Sequence, residues 1–195
     1  MSLILTAGKC NAITLLRASV YSGEPLIFPT DTVYGIGAPI SSLPANKKVY
    51  GLKKRPQDQP MPVLIGGWEQ LSSLAAEVGR DVLIWLKNAW TLSNPVRYTV
   101  ILKAAPWLPA FYTKNGNVAV RMTVLPWLAD AILTMGTPVT ATSVNVSGEM
   151  PLNNASEIAE KFLPVCKFML WGESGDCHAS TIVDLTGKDL KVVRV

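Results

Sequence analysis

The chain has 195 residues, 49% hydrophobic and 16% charged, with 18 Lys and Arg against 14 Asp and Glu and a formal charge of +4. That length suits one domain burying about 70% of its unfolded surface, and the high apolar fraction with low net charge excludes an intrinsically disordered chain. A membrane-spanning helix is excluded too, because the longest nearly uncharged apolar stretch, 124–135, holds Pro126 and Asp130 and falls short of the ~20 residues required.

In chain order, Ile13, Leu15, Leu16 and Val20 have helical spacing and predict a helix over 12–20, stopped by Ser22-Gly23. Leu26-Ile27-Phe28 predicts a short strand closed by Pro29, and 32–37 a second extended piece, β-branched and punctuated by glycine. A helix over 44–52 and a strand over 61–65 follow. Helices over 68–78 and 80–90, separated by Gly79, precede alternating strands over 98–103 and 117–121. A helix over 125–135, a strand over 138–145, a helix over 156–162 and short strands over 166–170, 181–185 and 190–193 complete the chain. Strands and helices alternate without repeats or a low-complexity linker. The expected fold is therefore α/β, a single domain over 1–195 with a twisted mixed sheet and flanking helices.

Three cysteines and one histidine narrow the chemistry. Cys10, Cys166, Cys177 and His178 match no zinc-ligand spacing, so no protein-held metal is expected, and Cys177-His178 reads as structural or incidental. An odd number of scattered cysteines suits a reducing compartment. Residues 1–8 lack the basic and long apolar regions of a signal peptide, which points to the cytoplasm.

Charge is spread unevenly. Lys47, Lys48, Lys53, Lys54 and Arg55 cluster without an acid between them, while the remaining 13 basic and 14 acidic residues nearly cancel. Such a cluster can be a solvated helix end, favoured by the macrodipole. Pro56, however, disfavours the α conformation at Arg55, so the helix should end by Lys54. Lys53 at the helix end and Arg55 in the exit loop can then converge on one anion. Two cations close to phosphate oxygens gain about 4 kcal/mol each at an effective dielectric near 20, against about 0–1 for an exposed pair, so a polyphosphate is the natural partner.

On a strand over 138–145, Ala141, Ser143 and Asn145 share one face and Thr140, Thr142 and Val144 the other. Ser143 and Asn145 thus set a hydroxyl beside an amide, although Asn and Ser ahead of Gly148 are also ordinary turn formers. In Pro29-Thr30-Asp31-Thr32-Val33-Tyr34-Gly35-Ile36-Gly37, the threonines offer hydroxyls and the glycines admit a ligand close to the backbone; a strand and tight turn is the plainer alternative. The stretch is neither a Rossmann fingerprint nor a P-loop.

Together these pieces resemble the YrdC/TsaC family of L-threonylcarbamoyladenylate synthases. The resemblance rests on Pro29-Thr30-Asp31-Thr32-Val33-Tyr34-Gly35, on Lys53-Lys54-Arg55-Pro56 followed by Pro60, and on Ala119-Val120-Arg121-Met122. Thr142-Ser143-Val144-Asn145-Val146-Ser147-Gly148 and Ser180-Thr181-Ile182-Val183-Asp184 extend it, so that it runs from about residue 10 to the end. It implies a YrdC-like, RibB-like twisted open α/β sheet with a concave, positive face. It also implies an enzyme, a nucleotidyltransferase that joins L-threonine, bicarbonate or CO2, and ATP into threonylcarbamoyl-AMP and pyrophosphate. Partner proteins then pass the threonylcarbamoyl group to an adenosine beside the tRNA anticodon. Positioning and charge stabilisation dominate such chemistry, so a site without histidine is no obstacle.

Carried over residue by residue, the resemblance makes Lys53 and Arg55 catalytic and, with Asn117, Ser143, Asn145 and Arg194, ATP-binding, with Mg2+ bridging phosphate oxygens. Thr30, Arg121, Ala141 and Ser180 become threonine-binding, Arg121 pairing bidentately with the carboxylate; its alternative is a strand-end salt bridge, and that of Ser180 a cap. Two departures stand out. Where many members have Trp-Pro-Gly-Pro-Leu-Thr, this chain has Trp90-Thr91-Leu92-Ser93-Asn94-Pro95-Val96-Arg97-Tyr98-Thr99, a longer loop like that of YciO-type relatives. Val195 stands where an Arg-x-Gly tail is common, and the length matches the family's short, single-domain form. Competing expectations are a module binding tRNA or double-stranded RNA on the basic face, whose affinity would fall steeply with salt, and a carbamoyl-transfer module like that of hydrogenase maturation factors.

Overall fold

The computed structural model describes residues 2–91, 93–94, 96–175, 178–187 and 189–194; Cys177, Val195 and, in the 92–99 loop, Leu92 and Pro95 lie outside the described residues. The first half of the chain runs β1 (Leu3–Thr6), α1 (Lys9–Ser22), β2 (Leu26–Phe28), β3 (Gly35–Gly37), α2 (Leu43–Lys53), β4 (Val63–Ile65), α3 (Leu71–Leu74) and α4 (Arg80–Ala89). The second half runs β5 (Tyr98–Lys103), β6 (Asn117–Met122), α5 (Pro126–Met135), β7 (Val139–Thr140), β8 (Thr142–Ser143), α6 (Ala155–Phe162), β9 (Phe168–Trp171), β10 (Thr181–Asp184) and β11 (Lys191–Arg194).

Local chemistry sets the helix ends. Gly23, at φ 64°, closes α1 with its N–H on Ser19 O, and Gly136, at φ 65°, closes α5. Pro44 and Pro126 sit in first turns, where a missing N–H costs nothing. Asn154 caps α6, its side-chain oxygen accepting from the N–H of Ser156 and of Glu157. Lys54 ends α2 in the left-handed region at φ 50°, one residue before Arg55.

The strands form two mixed sheets. One has the order β1-β9-β2-β3-β8, the other β11-β10-β5-β6-β4-β7. The α/β class holds, with a second sheet added to the single one expected. The sheets join because the segment 138–145 is not one strand. Thr140 and Val139 pair with Val63 and Leu64 in the six-stranded sheet, whereas Ser143 and Thr142 pair with Gly35 and Ile36 in the five-stranded one. Ala141, between them, donates its N–H to Pro62 O. Gly37 permits the close approach at this crossing: a Cβ there would lie 1.7 Å from Thr140 O.

Other differences have local causes. The helix expected over 68–78 is a 3₁₀ turn, Trp68–Gln70, followed by α3 alone. Beyond it, Ala75 bridges Ala104 and Ala76 N–H bonds Lys103 O, so an edge of β5 wins these residues from the helix. Residues 32–34 are not strand, because Thr30 Oγ1 accepts from Thr32 N–H and donates to Val33 O, curling the chain before β3. Strand β1 had no counterpart in the sequence pattern; it is held by parallel pairing with β9.

Alternation partitions the core. In β2, Leu26 and Phe28 pack with Leu15, Leu16 and Ile132 of α1 and α5, while Ile27 packs with Val49 and Ile158 of α2 and α6. The five-stranded sheet is therefore covered on both faces and reads as an unbroken apolar run. In the six-stranded sheet, Val63, Val100, Val118 and Val120 pack against α3 and α4. Each such side chain, fully buried, contributes about 1.5–3 kcal/mol. The opposite face of β4, β5, β6 and β10 is left for something else.

Candidate active site

Period-two alternation turns that face into the floor of a cavity of about 510 Å³. Val118 and Val120 of β6 enter the core, so Asn117, Ala119 and Arg121 line the cavity. By the same rule β5 contributes Thr99 and Ile101, and β10 contributes Ile182 and Asp184, with Ser180 just ahead of it. Asn117 and Arg121 stand four residues apart on one strand, about 13 Å at the usual rise. The facing wall comes from the other sheet and the crossing: Thr30 and Thr32 from the turn before β3, then Ala141, Thr142 and Ser143. The volume lies within the usual range of small-molecule sites.

At one end, Arg121 is buried, 7% exposed. Its Nη1 donates to Thr32 Oγ1 at 2.8 Å, and Nη2 lies 2.7 Å from Asp31 Oδ2. That contact is an ion pair, and Arg121 Nε has no hydrogen-bond acceptor among the described residues. Nε and Nη2 form the edge that a carboxylate takes side-on, and Asp31 holds the Nη2 side of it. The salt bridge and a place in the cavity thus coexist in one residue. Asp31 also accepts from Thr123 Oγ1 and lies 3.5 Å from Arg97 Nε. Nearby, Ser180 Oγ and Thr99 Oγ1 share a 2.7 Å hydrogen bond, and Arg194 Nη2 donates to Ser180 O.

Arg55 reaches the cavity, its Nε donating to Gln59 O at 2.7 Å and its Nη2 to Pro60 O at 3.1 Å. Arg194 lines the cavity as well; burial, and then the repulsion of Arg55, hold its guanidinium below the usual arginine range. Two arginines that repel across a cavity favour an anion between them. Lys114 joins them from a tight turn in which Asn115 and Gly116 have φ 53° and 72°, and pairs with Asp58 at 3.4 Å.

Lys53 and Asn145 are not brought to the cavity. Lys53 is 1% exposed, and its ammonium donates to Ser143 O, to Asn145 O at 3.0 Å and to Asn145 Oδ1 at 2.6 Å. Three protons meet three acceptors. Burial, followed by the charge of Arg55, pushes this amine down to about 8. Asn145 Oδ1 also accepts from Ser143 Oγ, and its Nδ2 donates to Glu149 O. The hydroxyl and amide expected side by side do meet, at 2.7 Å, but β8 ends at Ser143 and Asn145 does not line the cavity. The basic cluster disperses likewise: Lys48 pairs with Glu24, Lys47 and Lys54 are exposed, and only Arg55 lines the cavity.

Of the ten residues expected in the site, eight line this cavity: Thr30, Arg55, Asn117 and Arg121, then Ala141, Ser143, Ser180 and Arg194. Thr32, whose hydroxyl the sequence offered to a ligand, lines it too, whereas Thr99, Lys114 and Asp31 were missed. Alternation in β5 puts Thr99 on the floor, and that signal was available; no sequence signal brings Lys114 or Asp31 to this place. The described lining carries four cations and one carboxylate, Asp184. Burial raises the pKa of that acid, but two bonds from Thr186, with Lys191 and Lys103, outweigh this and hold it below the usual range. Among the described residues no cluster of three or more His, Cys, Asp or Glu forms. This donor set fits a divalent cation carried by phosphate oxygens and water rather than one caged by protein.

The chain is 31% identical over 176 residues to a threonylcarbamoyl-AMP synthase of Pyrococcus abyssi, covering 89% of this chain and 51% of that one. It thus spans about half the length of that relative. The crystal structure of P. abyssi Sua5 complexed with L-threonine superposes with a TM-score of 0.87 at 27% identity, over 99% of this chain and 57% of that one. E. coli YciO has the same fold, with a TM-score of 0.84 at 22% identity over 100% and 95% of the two chains. The Sua5, YciO and YrdC family, described as telomere recombination, matches residues 19–195. With that match across both sheets and the whole cavity, the chain belongs to the Sua5/YciO/YrdC family.

Proposed function

We propose that this chain is a nucleotidyltransferase that makes L-threonylcarbamoyl-AMP and pyrophosphate from L-threonine, bicarbonate or CO2, and ATP. The observation that carries this reading is one cavity lined both by Arg121, whose Nε has no acceptor among the described residues, and by the repelling pair Arg55 and Arg194. The relatives named threonylcarbamoyl-AMP synthase and the threonine complex of Sua5 support it.

In this reading Arg121 grips the threonine carboxylate side-on, with Thr30, Ala141 and Ser180 around the amino acid. The neutral threonine amine adds to CO2 and gives up one proton to solvent, leaving a carbamate whose oxygen attacks the α-phosphorus as the bond to the bridging oxygen breaks and pyrophosphate leaves. Arg55 and Arg194 neutralise the phosphates, and Asn117 and Ser143 hold the nucleotide. Mg2+, carried on the triphosphate, supplies further charge neutralisation there. Lys53 and Asn145 act one step back, fixing the crossing that presents Ser143. Holding both reactants in line is worth up to about 7–11 kcal/mol of barrier without any acid or base. The same reading places the protein in the cytoplasm as one domain over residues 1–195, handing its product to tRNA-modifying partners. No helix among the described residues is long and apolar enough to cross a membrane.

The test incubates purified protein with labelled ATP, L-threonine and bicarbonate. Pyrophosphate release that depends on both threonine and bicarbonate is expected. No release, with salt-sensitive binding of tRNA, refutes the synthase in favour of an RNA-binding module. The dispersal of the basic cluster argues against that outcome, since only Arg55 of its five cations lines the cavity.

A further inference from the structure

The loop 91–99, where this chain departs from the family pattern, brings a second arginine to Asp31. Arg97 Nε lies 3.5 Å from Asp31 Oδ2, the same oxygen that Arg121 Nη2 approaches at 2.7 Å. Arg97 is fixed from its own side by Nη1 donating to Asn94 O, and its carbonyl accepts from Thr181 N–H at the start of β10. Asp31 is buried, and its carboxylate also accepts from Thr123 Oγ1. Arg97 itself does not line the cavity, whereas Arg121 does.

We infer that Arg97 is a positioning residue that sets the charge of the carboxylate subsite, by sharing Asp31 and so leaving Arg121 only partly neutralised. The inference rests on the functional reading above. One carboxylate between two guanidiniums gives the group a charge of +1, and an incoming amino-acid carboxylate brings it to zero. Without Arg97, Asp31 and Arg121 already sum to zero, and the incoming carboxylate adds an unbalanced buried negative charge, which is costly at low dielectric. Asp31 Oδ2 faces both guanidiniums, 2.7 Å from Arg121 Nη2 and 3.5 Å from Arg97 Nε, and Arg121 Nε is left without an acceptor among the described residues.

The test measures L-threonine and α,β-methylene-ATP binding by titration calorimetry in wild type, Arg97→Gln and Arg97→Lys, with thermal unfolding of each. In Arg97→Gln the threonine Kd is expected to rise about tenfold, the scale of one charge at moderate distance and intermediate dielectric. The ATP analogue should bind as in wild type, and Arg97→Lys should restore most of the threonine affinity. Loss of both ligands together, or threonine affinity unchanged in Arg97→Gln, overturns the inference and leaves the synthase reading standing. Wild-type protein that binds the ATP analogue but no threonine overturns the functional reading itself, and this inference with it. Should Arg97→Gln fail to fold, Arg97→Lys binding threonine at wild-type strength and Arg97→Met losing it decides the same point.

Discussion

Lys53→Met separates a lysine that holds the crossing together from one that serves only as a phosphate ligand. The substitution keeps the length of the side chain but leaves Ser143 O and Asn145 O without the Lys53 donor, while Asn145 Oδ1 keeps that of Ser143 Oγ. Each buried acceptor left unpaired costs about 1–3 kcal/mol. Against this stands relief of the buried charge: a lysine moved from 10.5 to about 8 carries about 3 kcal/mol of unfavourable desolvation. The net expectation is a loss of about 1 kcal/mol, or about 3 °C in Tm for a domain of this size. The pH dependence has a definite sign. The folded state releases the Lys53 proton near 8 and the unfolded state near 10.5, so between these values the unfolded state binds more protons. Wild-type stability contributed by this group therefore rises as pH rises through that window. Lys53→Met lacks the group, so the stability gap between wild type and variant should widen from pH 8 to 10.5. Urea unfolding followed by circular dichroism across that range measures it. A variant that loses turnover with unchanged Tm refutes this role at the crossing and returns Lys53 to direct phosphate contact; a gap flat with pH refutes the depressed titration.

Arg55→Ala removes a cation whose protein partners are the carbonyls of Gln59 and Pro60, so the apparent KM for ATP should rise at least about tenfold, with Tm within a few degrees of wild type, in pyrophosphate-release and melting assays. Ala119→Leu places a large side chain on the cavity floor between Asn117 and Arg121; calorimetry should find threonine and nucleotide binding both lost, while circular dichroism keeps its wild-type shape. Gly37→Ala sets a methyl 1.7 Å from Thr140 O and must push the two sheets apart, destabilising the protein by more than about 3 kcal/mol in urea titration.

The helices over 12–20, 44–52, 80–90, 125–135 and 156–162 and the strands over 98–103 and 117–121 were legible because their patterns repeat at 3.6 or 2 residues, and each is recovered within a few residues. The motif residues Thr30, Arg55, Arg121, Ser143, Ser180 and Arg194 were legible only as a set whose resemblance named a family, and they do converge on one cavity. The split of residues 138–145 was not legible. Val139-Thr140 and Thr142-Ser143 look like one strand to any local pattern, and only pairing with β4 on one side and β3 on the other divides them at Ala141. Helix 68–78 failed for the same kind of reason, since Ala75 and Ala76 bond to the end of β5.

Composition and periodicity by themselves determined the α/β class, most of the elements and the existence of a compact basic segment, because those depend on side-chain spacing along a few turns of chain. What each charge of that segment does was decided by tertiary structure. Lys53 and Arg55 are two residues apart, yet one is sealed under the crossing and the other opens into the cavity. The partners that part them, the carbonyls of Ser143 and Asn145 for one and those of Gln59 and Pro60 for the other, include atoms some 90 positions away along the chain. The same holds for Asp31, Arg97 and Arg121, which meet only because the turn before β3, the loop before β5 and strand β6 fold against one another. Local spacing fixes which residues can form an element; the free energy of burying a charge depends on whichever distant acceptors or counter-charges the fold brings to it.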